Sequence, residues 1–124
     1  MLTLLLAASA LAQAPTAPAP MMIFFDSGGT EIRREWEPVL DEAAKAAAAG
    51  TRLRLTGHSD RPGSDGVNRR MSLKRAQIVA DALVARGVSR AVLTVEGDGE
   101  ASPFIATADG VREVQNRRVD IRPE

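Results

Sequence analysis

Between Thr56 and Arg75 the chain gathers side chains able to hold a charged ligand, His58, Asp60, Asn68 and Arg75, in a stretch otherwise rich in Gly, Pro and Ser. Asp60 stands where an alternating segment gives way to a Gly- and Pro-containing one, a place that exposes a side chain on a rigid support. Ser72 is a residue type that caps helix N-termini. Arg75 is therefore expected in a first helical turn, where Glu or Gln is the usual choice. A cation there opposes the helix dipole, at a cost of about a few tenths of a kcal/mol. An anion reverses that sign, because a helix N-terminus plus a guanidinium receives a carboxylate. The Asp60 carboxylate can in turn hold an ammonium, so the two residues form a two-ended receptor for a zwitterion. The plainer alternative is that Asp60 and Arg75 pair with each other as a surface salt bridge, worth about 0–1 kcal/mol.

Other chemistry is thinly supported. His58 is the only histidine, and with Asp60 it supplies two metal ligands and no third nearby, so neither metal nor cofactor is expected. No nucleophile stands beside it, and its expected role is to hold the loop by hydrogen bonds. Arg117 and Arg118 are adjacent on an alternating segment and should face opposite sides, as a structural or ligand-orienting pair. Phe24 and Phe25 should split likewise. Asp26 is either a turn cap or a ligand contact. The 16 basic and 16 acidic residues balance, which argues against nucleic acid as a partner. The chain is expected not to be an enzyme.

These residues need a scaffold, and the 124-residue chain has the length of one domain. Residues 1–12 are an uncharged apolar run ending in Ala10-Leu11-Ala12, read as a secretory signal too short to span a bilayer. Residues 13–21 form a Pro/Ala-rich tether, and residues 22–124 the domain. Without cysteine, neither disulfides nor a lipid-modified cysteine is expected. The mature chain is predicted to be soluble, with no membrane-spanning segment.

Within the domain, residues 21–25 read as a strand closing in the turn Asp26-Ser27-Gly28-Gly29. Ile32, Trp36, Val39 or Leu40, Ala43 and Ala47 recur at helical spacing, with Pro38 in the first turn and Gly50 as the stop. Residues 51–56 alternate as a strand with one covered face. Residues 57–67 read as loop. A second helix then starts at Ser72, buries Leu73, Ala76, Val79, Ala80, Leu83 and Val84, and closes at Arg86-Gly87. Val92, Leu93 and Val95 make a strand ending at Gly97-Asp98-Gly99. In the last strand Val119 and Ile121 alternate with Arg118, Asp120 and Arg122. The order β-α-β-α-β-β predicts a two-layer α/β sandwich over a mixed four-stranded sheet.

Ordered motifs run through this frame: Phe25-Asp26, Gly57-His58-Ser59-Asp60, Gly63-Ser64, Asn68, Ser72-Leu73-Lys74-Arg75-Ala76, Gly97-Asp98-Gly99-Glu100, Pro103 and Asn116-Arg117-Arg118-Val119. Together they resemble the OmpA-like peptidoglycan-binding domain over residues 22–122. The resemblance implies the OmpA-like fold and binding of the diaminopimelate residue of the peptidoglycan stem peptide. That residue's free end carries one ammonium and one carboxylate. It further implies that Asp60 takes the ammonium and Arg75 the carboxylate, with Asn68, Phe25, Asp26, Ser64, Met71 and Arg117 lining the site. Val67 and Asp98 stand where the family usually has aromatic residues, and Val111 where it has Gly.

The expected function is non-catalytic attachment to the cell wall, in the periplasm of a Gram-negative-type envelope, next to the outer membrane. The alternative is an envelope adaptor, binding outer-membrane or other envelope proteins, that has lost wall affinity.

Overall fold

The structure, a computed structural model, describes residues 21–59, 65–99 and 117–124. The expected export signal and most of the tether lie outside the described residues. Met21, where the tether was placed to end, is already paired in the sheet with Ile121.

Four strands and two helices alternate: β1 (Met21–Phe24), α1 (Glu37–Ala48), β2 (Leu53–His58), α2 (Asp65–Ala85), β3 (Leu93–Gly99) and β4 (Arg118–Pro123). Short 3-10 turns precede α1 and β3. The sheet order is β1-β4-β2-β3. β2 runs parallel to β3, and β4 is antiparallel to both β1 and β2. This is the predicted two-layer α/β sandwich with a mixed four-stranded sheet.

One buried apolar cluster joins the layers. Ile23, Leu53, Leu55, Val119 and Ile121 from the sheet meet Leu40 and Ala43 of α1 and Ala76, Val79, Ala80 and Leu83 of α2. Each Leu, Ile or Val among them contributes roughly 1.5–3 kcal/mol when buried. Pro38 lies in the first turn of α1, where no N–H is needed. Gly50 ends that helix with φ at +98°, a backbone region that L side chains avoid.

Several boundaries differ from the sequence reading. The helical spacing from Ile32 begins too early, since α1 starts at Glu37 behind a 3-10 turn over Arg34–Trp36. α2 starts at Asp65, so residues 65–67 are helix rather than loop, and Ser72 is no cap. Its hydroxyl instead donates to the Arg69 carbonyl at 2.8 Å, the back-bonding open to Ser within a helix. Leu73 is not on the buried stripe but 38% exposed. β2 runs on through Gly57 and His58, and β3 through Gly97, Asp98 and Gly99.

The two glycines explain why strands continue where composition suggests loop. Gly57 and Gly97 pair across β2 and β3. A Cβ on Gly57 would run into the Ser72 carbonyl, and one on Gly97 would lie 2.6 Å from the Leu73 nitrogen. The pair lets the α2 backbone lie against the sheet. Just beyond it the register shifts, with His58 opposite Gly99, as at a β-bulge.

The final strand departs from a simple covered-and-wet alternation. Val119 and Ile121 are buried as predicted, but Arg118 and Asp120 are buried too, and of the alternating charges only Arg122 is exposed. β4 is interior to the sheet, and its buried charges pair with each other and with His58. Arg118 Nε donates to Asp120 Oδ1 at 2.8 Å, and His58 Nε2 lies 3.1 Å from Asp120 Oδ2. Burial is the largest influence on the Asp120 carboxyl and pushes it up. The hydrogen bonds from His58 and Arg118, with their charges, together outweigh burial and hold it below its ordinary value. His58 thus ties β2 to β4.

Two outcomes test this packing. Gly57→Ala should destabilise the domain by about 1–3 kcal/mol, seen as a thermal midpoint lowered by roughly 4–8 °C per kcal/mol; an unchanged midpoint would contradict the close helix–sheet approach. A carboxylate with a lowered folded-state pKa adds stability that is complete above its unfolded pKa and disappears as pH falls through the folded value. The wild type's resistance to chemical denaturation should therefore fall as pH drops below about 4. Asp120→Asn should be less stable near neutrality and lose less on acidification; equal acid sensitivity in both proteins would refute the assignment.

Candidate functional site

Arg75 is the centre of the site, but not for the reason its sequence neighbours suggest. It lies almost three turns into α2, counting about 3.6 residues per turn from Asp65. The positive end of the helix dipole is felt only within the first turn, so the opposed-dipole argument does not apply. Arg75 is also 1% exposed, so it does not stand at the surface. The fold's own solution is to bring backbone to the charge. Arg75 Nε donates to the Gly29 carbonyl at 3.0 Å, and an Nη donates to the Asp26 carbonyl at 3.2 Å. The guanidinium carbon sits 5.4 Å from the centre of the Phe25 ring, within cation–π range.

The turn after β1 is shaped to offer those carbonyls. The Gly29 N–H closes it by donating to the Asp26 carbonyl at 2.8 Å, and Gly28 takes φ of +66°, which glycine enters without steric cost. The Asp26 carbonyl therefore accepts both the turn bond and the arginine. The Asp26 side chain points elsewhere, to an exposed pair with Arg33 at 3.3 Å. Of the two roles proposed for Asp26, the turn is the one built by its backbone.

Phe25 is fixed from the other side by Arg117. The Phe25 N–H donates to the Arg117 carbonyl at 2.9 Å, and Arg117 Nε donates back to the Phe25 carbonyl at 3.1 Å. Phe24 turns to Trp36, with ring centres 5.4 Å apart, so the two phenylalanines do split. Arg117 and Arg118 likewise part, one to Phe25 and the other to Asp120.

Asn68 precedes Arg75 by seven residues, two helical turns, on the same stripe of α2, and Met71 lies four residues before it. Asn68 is buried, and its Nδ2 has no hydrogen-bond partner among the described residues. The same holds for Ser59 Oγ. Both residues flank the segment 60–64. Asp60 and Ser64, also expected at the site, lie outside the described residues.

The structure thus brings Phe25, Asp26, Arg75 and Arg117 together by direct contacts and sets Asn68 and Met71 along the same helix. Sequence reasoning missed Gly29, whose contribution is a carbonyl, and Ser59. The Gly28-Gly29 pair was a usable signal for a turn, but not for what the turn would accept. Among the described residues no three of His, Cys, Asp and Glu cluster as metal ligands. No described helix is long and apolar enough to cross a membrane.

The chain is 34% identical over 116 residues to an outer membrane protein of Gluconacetobacter diazotrophicus, covering 87% of this chain and 31% of that protein. It is 36% identical over 99 residues to the peptidoglycan-binding protein ArfA of Mycobacterium tuberculosis, covering 79% of this chain and 30% of that one. It therefore spans about a third of the length of these relatives. Among solved structures, the peptidoglycan-associated lipoprotein of Burkholderia pseudomallei superposes with a TM-score of 0.78 at 24% identity, over 84% of this chain and 90% of that one, a likeness of fold. The model of the OmpA family matches residues 24–117, and the chain belongs to that family.

Proposed function

We propose that this chain binds peptidoglycan without catalysis, capturing the free end of a diaminopimelate residue in the stem peptide. Arg75 is the carboxylate receptor and Asp60 holds the ammonium. Asn68, Phe25, Asp26, Ser64, Met71 and Arg117 shape the surroundings.

The observation that carries this reading is the fixed guanidinium of Arg75. Two carbonyls and an aromatic ring set its plane, and a guanidinium held in one plane is preorganised for a carboxylate. At 1% exposure little of its surface is open to contact, so its contribution is directional and electrostatic rather than a matter of contact area. Buried charge acts through a lower effective dielectric than water. Similarity to a relative named for peptidoglycan binding supports the same reading. Relatives named as outer membrane proteins support a place in the envelope, with residues 1–12 as export signal and 13–20 as tether.

One small zwitterion gives modest affinity, and the repeating wall would raise it through avidity if several copies are joined. The test uses the protein in co-sedimentation with purified sacculi. Wild type should pellet with diaminopimelate-type sacculi and poorly with lysine-type sacculi, whose side chain lacks the free-end carboxylate. Asp60→Ala, and Arg75→Lys with the charge kept but the planar fork lost, should each bind roughly tenfold more weakly, a change of about 1.4 kcal/mol. Wild type left in the supernatant, or both variants binding like wild type, would refute the proposal.

A further inference from the structure

The outer face of α2 carries a set of cations with no acid partner among the described residues. Elsewhere, several described arginines are matched to acids: Arg33 to Asp26, Arg54 to Glu96 and Glu124, Arg86 to Asp41, Arg90 to Asp81 and Arg118 to Asp120, whereas the exposed Arg34 and Lys45 have no acid partner among the described residues. Arg69, Arg70 and Lys74 are all exposed, and no acid among the described residues lies within ion-pair distance of them. Arg70 and Lys74 are four residues apart on one helix, where like charges repel. Interleaved with them are Val67, 48% exposed, and Leu73, 38% exposed, the exposed large hydrophobics among the described residues.

These five residues form one surface. At about 100° per residue, Arg69, Leu73, Arg70, Lys74 and Val67 follow one another around a single side of the helix. Asn68, Ser72 and Arg75 occupy the opposite, buried side. The cationic face therefore adjoins the stripe that reaches the candidate site, over the same turns of α2.

We infer that this face is an electrostatic docking surface for peptidoglycan itself, contacting the carboxylates of stem peptides beside the one held at Arg75. The inference rests on the peptidoglycan reading above. Stem peptides carry more carboxylates than amines, so the strand is a polyanion complementary to three cations that no described acid matches. A polymer held at the buried stripe runs on past its rim, and the rim on this side is Val67, Arg70 and Lys74. Exposed charges act over about a Debye length, roughly 10 Å at 0.1 M salt, and they raise the association rate and its salt dependence more than they slow dissociation.

The experiment measures sacculus binding by the full chain at about 25 mM and about 300 mM NaCl, salt levels that straddle effective screening. The test variant combines Arg69→Gln, Arg70→Gln and Lys74→Gln. A control combines Arg34→Gln and Lys45→Gln, exposed cations outside α2. Thermal midpoints confirm that all are folded. The triple variant should bind roughly three- to tenfold more weakly at low salt and nearly like wild type at high salt, with the control unaffected. Equal binding and equal salt dependence in wild type and triple variant would overturn the inference while leaving the Arg75 site standing. Salt-sensitive capture by phosphatidylglycerol vesicles, with sacculus binding unchanged in the triple variant, would overturn it in favour of a lipid surface. Absence of wild-type binding to sacculi at either salt would sink the peptidoglycan reading and this inference with it.

Discussion

A buried guanidinium is expensive to desolvate, and the fold around Arg75 is arranged to meet that demand. Its hydrogen bonds reach from α2 to the carbonyls of Asp26 and Gly29 in the turn after β1. Phe25, beneath it, exchanges two hydrogen bonds with Arg117 at the entry to β4. One charge thereby pins a helix, a turn and two strand ends into a single arrangement. A hydrophobic residue in that place would also fill space, but it would not fix the turn's orientation. Directional bonds do that, and a charged ligand needs it.

Arg75 reaches that turn only because α2 lies close against the sheet. Gly57 and Gly97 leave room for the backbone at Ser72 and Leu73. Side chains at those two positions would push the helix outward and lengthen every bond the guanidinium makes. The same close approach separates the two sides of the helix. The inner side is committed to the core and the site, and the outer side is left to carry charge that no described acid neutralises. On the other face of the sheet, the His58–Asp120–Arg118 cluster holds β2 to β4. The only histidine is thus engaged with a structural carboxylate.

Much of the frame was legible in the chain. Period-two alternation at Leu53 and Leu55 and at Val119 and Ile121 marked the sheet's covered face, and helical spacing from Ala76 to Leu83 marked that of α2. Pro38 and Gly50 bounded α1 for simple stereochemical reasons. Family motifs pointed to Phe25, Asp26, Asn68, Arg75 and Arg117, four of which meet by direct contact. The failures have physical causes too. Ser72 resembles a cap, but a Ser inside a helix can bond back to a carbonyl, and local composition does not distinguish the two. Gly57 and Gly97 resemble turn residues, but their purpose is a close approach to a helix far along the chain. The carbonyls that receive Arg75 belong to backbone, which residue type does not reveal. Buried charge at Arg118 and Asp120 follows from β4 lying between β1 and β2, a fact of sheet order and not of pattern.

The most direct measurement of the central claim is the guanidinium Nε–H signal of Arg75 in a nitrogen-15 NMR spectrum, followed as diaminopimelate-containing muropeptide is added. Because Nε–H is buried and bonded to the Gly29 carbonyl, its signal should be visible and slow to exchange with solvent before any ligand is present. Addition of muropeptide should then shift it saturably, and a lysine-containing muropeptide should not. An Nε–H that exchanges like an exposed arginine would contradict the fixed guanidinium. A protected signal that stays still while other resonances move would contradict its role as the carboxylate receptor.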